Sequence, residues 1–484
     1  MIRHLRLLAI SLFLIFSGIA HAQLNIEVVG AGMQRIPVAV PNFGGDDGLG
    51  REIAAVVRSD LASTGLFNII NTDSLVAEEN SSVDFAAWRS RGADALATAT
   101  ANRPGGQIEV RVRVADIVKR GSLGNTVVTV PGNNMRLAGH KVADFIYQKL
   151  TGQPGYFSSR IAYVLKQGTG PNAQFQLIVA DADGQNPVPV FKYNQPIISP
   201  AWSPDGTKLA SPCLVRTSLT QAGYGAVVPA TALPLNAMAA TRDGLYLTDA
   251  ESGKCSLLVS FAQIRSSLDV LAADLQRIPG ALYGFHVKWN PQGTRLMFVV
   301  RLRRSEGTAS ASGRLNYVVT MNADGTGIKL ALPASIWSRG GHHPNWCPDG
   351  VHIIQNLNLD GSGMRFVRYR YDGSGLCALA PDIVGGGHPT MHPDGRHILT
   401  DAYLNETVAF GDGTTPLRWI DLKTGTEEVL VRVPTQPLET GIGKVLRVDP
   451  HPAWDRSFQN VVFNACPGGK RRVFMADLST LLLP

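Results

Sequence analysis

After its first two dozen residues the chain has no apolar run long enough to cross a bilayer, so no later segment reads as a transmembrane helix. Common catalytic signatures are missing too: there is no Gly-rich phosphate loop, no nucleophile elbow, no HExxH and no CxxC. Cysteine is scarce. Cys213, Cys255, Cys347, Cys377 and Cys466 are five residues without close spacing, which excludes a disulfide framework and a zinc knuckle. One or two disulfides stay open in an oxidising compartment, but most of these residues read as small buried hydrophobes on strands. Charge is also sparse, at 17%, with 45 Lys and Arg against 38 Asp and Glu and a net charge of +7. The basic residues are scattered apart from short groups such as Arg301, Arg303, Arg304 and Lys470-Arg471-Arg472. No aromatic-interleaved basic module is present, so nucleic acid is not an expected partner. An acidic partner or an anionic surface fits the balance better.

What is present is turn chemistry and a core. The 484 residues are 44% hydrophobic, enough for more than one domain, and 50 Gly with 29 Pro suit many tight turns better than long helices. At the start, Arg3, His4 and Arg6 precede an apolar run from Leu7 to Ile19 and the small-x-small site Ala20-His21-Ala22. That order predicts a secretory signal over residues 1–22, a mature chain from Gln23, and, with no lipobox cysteine after it, a product free in an extracytoplasmic space.

The dominant motif is a turn phrase that recurs five times. It reads Ser199-Pro-Ala-Trp202-Ser-Pro204-Asp205-Gly206, Phe285-His286-Val-Lys-Trp289-Asn-Pro291-Gln292-Gly293 and His343-Pro-Asn-Trp346-Cys-Pro348-Asp349-Gly350. Two looser copies are His388-Pro-Thr-Met391-His-Pro393-Asp394-Gly395 and His451-Pro-Ala-Trp454-Asp455. Pro presets the first turn dihedral and Gly takes the left-handed one, so each copy predicts a hairpin with strands on both sides. A period of roughly forty to sixty residues is that of propeller blades. Counting a first blade from Ile161, six blades are expected over residues 153–484. Inner strands are expected at Leu296–Val300 and Val461–Phe463, and edge strands at Asn316–Met321, Phe366–Tyr369, Leu417–Leu422 and Arg472–Leu478.

Before the repeats, residues 23–152 alternate strand and helix. Ile36–Val40 reads as a buried strand, Ile53, Val56, Val57 and Leu61 fall at helical spacing up to Gly65, and Phe67–Ile70 returns to strand. Ile108–Val114 alternates strictly as a half-exposed strand, and Met135–Lys149 is the last helix before the boundary at Thr151-Gly152. A small α/β domain follows from these periods.

Here the order Ile36-Pro-Val-Ala-Val-Pro-Asn-Phe43, Ile53 to Phe67, Trp88, Gly92-Ala-Asp94, Arg136, His140, Asp144, Lys149-Leu-Thr-Gly152 and Arg160-Ile-Ala-Tyr163 resembles the TolB family, the periplasmic propeller proteins of the Tol–Pal system. The likeness runs on through Ser199-Pro-Ala-Trp-Ser-Pro-Asp-Gly-Thr-Lys-Leu209 and covers residues 24–210. It implies an N-terminal α/β domain and an all-β six-bladed propeller of WD40-like PD40 repeats. It also implies roles in outer-membrane integrity and cell division, docking of a peptidoglycan-associated lipoprotein on the propeller face, and engagement of a TolA-like protein by the segment from Gln23 to about Gln34.

Beyond Ala210 the pattern departs from that family. Ser211-Pro212 is expected to interrupt a strand, residues 217–240 lack blade patterning, and Ile264–Leu275 reads as helix, so an irregular second blade is expected around residues 211–280. Four of the five phrases carry His at the matching place: His286, His343, His388 and His451. Equivalent positions at the start of inner strands would bring these imidazoles near the central channel, where neutral rings suit a divalent transition metal. The competing reading is a turn filler bonded to neighbouring backbone. The stretches Tyr283-Gly-Phe-His286-Val-Lys-Trp289, His388 to Asp401 and Arg447-Val-Asp449-Pro-His451-Pro-Ala-Trp454-Asp455-Arg456 also resemble the propeller of oligogalacturonate lyases, which implies a His-coordinated divalent metal promoting elimination. That chemistry also needs a base and a cation for the carboxylate, for which Lys288, Arg301, Asp401 and Arg456 are the candidates. Asp205, Asp349 and Asp394 read as turn formers, and Trp202, Trp289, Trp346 and Trp454 as interblade core rather than a sugar platform. The expected function is thus a non-catalytic envelope scaffold that needs no cofactor, with a metal-dependent lyase or sugar-binding propeller as the alternative.

Overall fold

In the computed structural model the described residues are 35–46, 48–72, 75–168, 174–193, 197, 200–212, 241–277, 280–304, 314–436, 448–454, 458–469, 472–478 and 481. The signal segment, the segment to Gln34, Cys213, residues 217–240, Arg447, Asp455, Arg456, Lys470 and Arg471 lie outside them.

The front of the chain is a mixed sheet with two main helices. β1 (Ile36–Ala39) and β2 (Asn42–Gly45) lie along the same edge of β5 (Ala95–Asn102), with Val38 opposite Ala95 and Gly44 opposite Thr100. β3 (Phe67–Ile70) pairs with β1, and β4 (Val76–Ala77) with β2, all in parallel. On its other edge β5 pairs antiparallel with β6 (Gln107–Asp116), and β6 with β7 (Gly121–Pro131). Helix α1 (Leu49–Ser63) buries Ile53, Val57 and Leu61, and α2 (Phe85–Ser90) is a single short piece capped by Asp84. Helix α3 (Met135–Thr151) buries Ala138, Val142 and Ile146 and ends on Gly152 in the left-handed region. Gly139 is what lets α3 approach α1, since a Cβ there would stand 2.7 Å from Val56. These faces share one core with Phe67, Tyr147 and Phe157.

The rest of the chain is a six-bladed β-propeller. Blade 1 is Arg160–Gln167, Gln174–Asp181 and Val188–Tyr193; blade 2 is Ala201–Trp202, Lys208–Pro212, Gly244–Asp249 and Cys255–Ser260. Blade 3 is Gly280–Trp289, Arg295–Arg304, Arg314–Asn322 and Lys329–Leu332; blade 4 is Gly341–Trp346, His352–Leu357, Arg365–Arg370 and Cys377–Leu379. Blade 5 is Thr390–Met391, His397–Thr400, Thr414–Asp421 and Thr426–Pro434, and blade 6 is Ala453–Trp454, Asn460–Ala465 and Arg472–Asp477. Neighbouring strands within blades 2 to 6 are antiparallel. Chain contacts divide the described residues into two units, one of 35–165 with 176–190, the other of 166–175 with 191 onward.

The turn phrase does what its chemistry predicts. Asp205 accepts from the backbone of Thr207, Asp349 from Val351 and His352, and Asp394 from Arg396 and His397, so each carboxylate ties down the turn that follows it. Two expectations change. Ser211 and Pro212 do not interrupt blade 2: they extend its second strand opposite Tyr246 and Leu245, where Pro212 stands at the strand end. The strands expected at blade edges in blades 3, 4 and 5 are third strands, with a fourth outside each. The expected helical insert is real and is two helices, α4 (Phe261–Ser267), opened by a Ser260–Gln263 capping box, and α5 (Asp269–Arg277). Their Phe261, Ile264, Leu271 and Leu275 join the core of Phe298, Val300 and Tyr317 in blade 3.

Arg301 is not part of a surface basic group. It is buried, with its guanidinium 3.7 Å from the Phe285 ring centre. Among the described cysteines Cys347 and Cys466 are buried, Cys255 is half-buried and Cys377 exposed, and all four are free thiols.

Candidate functional site

The repeat turns one residue of each of three phrases into an unusual backbone state. His286, His343 and His451 have φ of 41°, 56° and 52°, a left-handed conformation that side chains seldom adopt. At His286 the register of the first two strands of blade 3 shifts between Phe285 and Val287, so His286 is the extra residue of a bulge. In blade 4 the shift falls between His342 and Asn345 and contains His343. Blade 5 solves the same turn differently, with Gly387 at φ 61° just before His388. A Cβ on Gly387 would meet the Asp401 carbonyl oxygen at 2.0 Å.

These turns bring three of the four repeat histidines together. His343, His388 and His451 each offer one ring nitrogen, and the three nitrogens lie within 4.8 Å of one another. The His388 ring stacks on His451 with centres 3.6 Å apart and lies 4.0 Å from that of His343. His286 stands beside this group, its ring 5.7 Å from His343, without joining it. All four line a funnel of about 750 Å³ together with Lys288. Trp202, Trp289, Trp346 and Trp454 also face the funnel, while Trp346 is at the same time buried core and donates from its indole to the Lys288 carbonyl at 3.1 Å.

Electrostatics keep the rings of His286, His342 and His343 neutral. Burial drives His286 well below the ordinary imidazole value, and the nearby charges of Lys288 and Arg301 drive it further. Burial and the neighbouring imidazoles do the same to His343, and His342 is pushed down to about 4, chiefly by burial. Lys288 is pushed down to about 8 by burial and donates to Asn345 Oδ1 at 3.1 Å. Neutral imidazoles keep a nitrogen lone pair for a ligand.

Around the three rings is a polar shell that the repeat pattern does not contain. Asp401, fully buried after the second strand of blade 5, accepts from the His388 backbone N–H at 2.6 Å and from the His451 backbone N–H at 2.8 Å. Its two oxygens also stand 2.9 and 3.0 Å from His388 Nδ1. Burial pushes the Asp401 carboxyl up, but His388 and the His451 backbone outweigh it and hold it below the usual value. The Tyr403 hydroxyl faces the other side, bonded to His343 Nε2 and 3.3 Å from His388 Nε2. Glu406 accepts from the Tyr403 backbone at 2.9 Å, and burial raises its carboxyl above the ordinary value. Asp401 was legible only as one of several candidate partners. Tyr403 and Glu406 left no sequence signal beyond their closeness to it.

A second cluster lies in the front unit. His140 Nδ1 is 2.7 Å from Asp60 Oδ2, and His140, Asp181 and Asp183 also bring ligand-type atoms within 4.8 Å. Arg136 pairs with both Asp181 and Asp183, so a fixed guanidinium already balances those carboxylates. This cluster ties α1, α3 and the second strand of blade 1.

Fold and site together define an α/β domain followed by a six-bladed propeller whose funnel is lined by histidines. Residues 24–123 match the TolB amino-terminal domain and 147–214 the TolB beta propeller domain. The Tol-Pal system protein TolB of Nitrosospira multiformis is 50% identical over 190 residues, 39% of this chain and 43% of that protein. Its namesake in Dechloromonas aromatica is 45% identical over 206 residues, 42% of this chain and 47% of that protein. Over residues 24–214 the chain is therefore similar to the TolB proteins, matching their amino-terminal domain and the start of their propeller. These alignments span less than half the length of either relative. The crystal structure of TolB from Acinetobacter baumannii aligns over 92% of both chains with a TM-score of 0.62 at 24% identity, a likeness of fold that extends beyond the part matched in sequence.

Proposed function

We propose that the protein is a periplasmic scaffold of the Tol–Pal envelope system, serving outer-membrane integrity and cell division by binding protein partners. The carrying observation is the 50% identity to a Tol-Pal system protein TolB over 190 residues at the front of the chain. A peptidoglycan-associated lipoprotein docks on the propeller face in this reading, and a TolA-like protein takes the segment from Gln23 to about Gln34. A rigid propeller presenting a broad face binds without any perturbed catalytic group. No helix among the described residues is long and apolar enough to cross a membrane. The test is co-purification of the mature protein with the lipoprotein and the TolA-like protein of its own host. Capture of both is expected, and failure to capture either overturns the reading.

A second reading is favoured by one observation, the three imidazole nitrogens within 4.8 Å. The funnel holds a divalent transition ion on His343, His388 and His451, with His286 at its margin. The donor set fits: neutral imidazole is a common ligand for such ions, and buried Asp401 gives His388 the carboxylate backing usual for a metal-bound histidine. Such an ion would supply a Lewis acid to ligands entering the funnel, which makes a lyase or sugar-binding role the alternative to a purely protein-binding one. Elemental analysis of the purified protein and of a variant with His343, His388 and His451 all changed to Ala tests this. About one ion per chain, lost in the variant, is expected; the same content in both sinks it.

A further inference from the structure

We propose that Asp401 is the positioning residue of the funnel site, fixing which nitrogen of His388 faces the ligand and holding the backbone of His451 in the state that presents its ring. This rests on the reading of the three histidines as a metal site. Asp401 is not in the turn phrase, yet its carboxylate bonds to groups of two phrase histidines: the N–H and Nδ1 of His388 and the N–H of His451.

A carboxylate has no hydrogen to donate, so the short contact to His388 requires the proton to sit on Nδ1. That leaves the Nε2 lone pair of His388 facing the side where His343 Nε2 and the Tyr403 hydroxyl converge. An imidazole with free rotation would present either nitrogen; this one cannot turn without leaving a fully buried carboxylate short of a donor. The bond to His451 acts on backbone rather than on a ring. His451 carries φ 52°, a left-handed conformation that is strained for a side chain and persists only where surrounding bonds hold it. One acidic side chain in blade 5 thus sets the ring of its own blade and the turn of blade 6. Gly387, with no room for a Cβ beside Asp401, is the local adjustment that permits this approach.

The experiment uses the full mature protein, stripped with EDTA and titrated with Co²⁺ at one pH, with binding read from the visible bands of the cobalt protein. Wild type is expected to bind one Co²⁺, and Asp401→Asn to bind it about 10- to 100-fold more weakly with altered bands, the loss typical of an outer partner of a metal-bound histidine. Equal affinity and equal bands in the two overturn the role of Asp401 while leaving the metal site standing. No Co²⁺ binding by the wild type overturns both. A second measurement needs no acidic-site variant: long-range proton–nitrogen spectra of metal-free, ¹⁵N-histidine-labelled wild type, with His388 assigned by its absence in His388→Gln. A proton on Nδ1 with a bare Nε2 is expected, and a proton on Nε2 overturns the proposal even if Asp401→Asn does not fold.

Discussion

Left-handed backbone at histidine is a stability cost that the funnel carries at three of its walls. His286 shows it most simply, because it sits on a bulge outside the three-nitrogen group. Changing His286 to Ala or to Gly removes the same ring, but only Gly relaxes the dihedral, so His286→Gly should be more stable than His286→Ala by about 1 kcal/mol in urea unfolding. The four histidines were legible because the repeat sets each at the same offset before its turn. Asp401 and Tyr403 were less so, since they follow His388 by 13 and 15 residues and only the hairpin of blade 5 folds them back onto it. The front unit has its own buried histidine. Burial alone would lower His140, but the bond to Asp60 and the charges of Asp60, Asp181 and Asp183 hold it above the ordinary 6.5. A group raised in the folded state adds stability that is complete below the unfolded value and is lost as pH climbs through the folded one. Thermal melts from pH 6 to 9 should therefore fall more steeply for wild type than for His140→Gln.

At the scale of elements, the blades were legible through their turns and obscure through their edges. Pro-Asp-Gly announces the first hairpin of a blade because the Asp carboxylate and the Gly dihedral act locally. The fourth strands, such as Cys377–Leu379 and Lys329–Leu332, are too short for a period to show. Strand Lys208–Pro212 shows the opposite failure, in which tertiary pairing with Gly244–Asp249 carries a strand through Ser-Pro against local preference. Helices α4 and α5 were visible from spacing, but their purpose was not: they cap blade 3 with an apolar stripe. Leu271 is fully buried there, and Tyr317 donates to Asp274 of α5 at 2.8 Å. Leu271→Ala should cost about 2–5 kcal/mol, read from urea unfolding, the range of a buried leucine cavity.

For the molecule as a whole, the contact division does not follow the end of α3. Most of blade 1 groups with the front of the chain, and Asp181 and Asp183 meet Arg136 and His140 inside that unit. A fragment ending at residue 193 should therefore melt at a higher temperature than one ending at 152, by circular dichroism; equal melting would show that the strand of Asp181 adds nothing to the front unit. The bond from Asp401 to the His451 backbone has a mechanical meaning as well. Blade 6 has three strands among the described residues and meets blade 5 through a shared apolar core, the stacked rings of His388 and His451, and the 2.8 Å bond from buried Asp401 to the His451 backbone. A chain pulled from its C-terminal end would strip Arg472–Asp477 and Asn460–Ala465 first and load that bond only afterwards, so the carboxylate is one of the last stitches to give as blade 6 leaves.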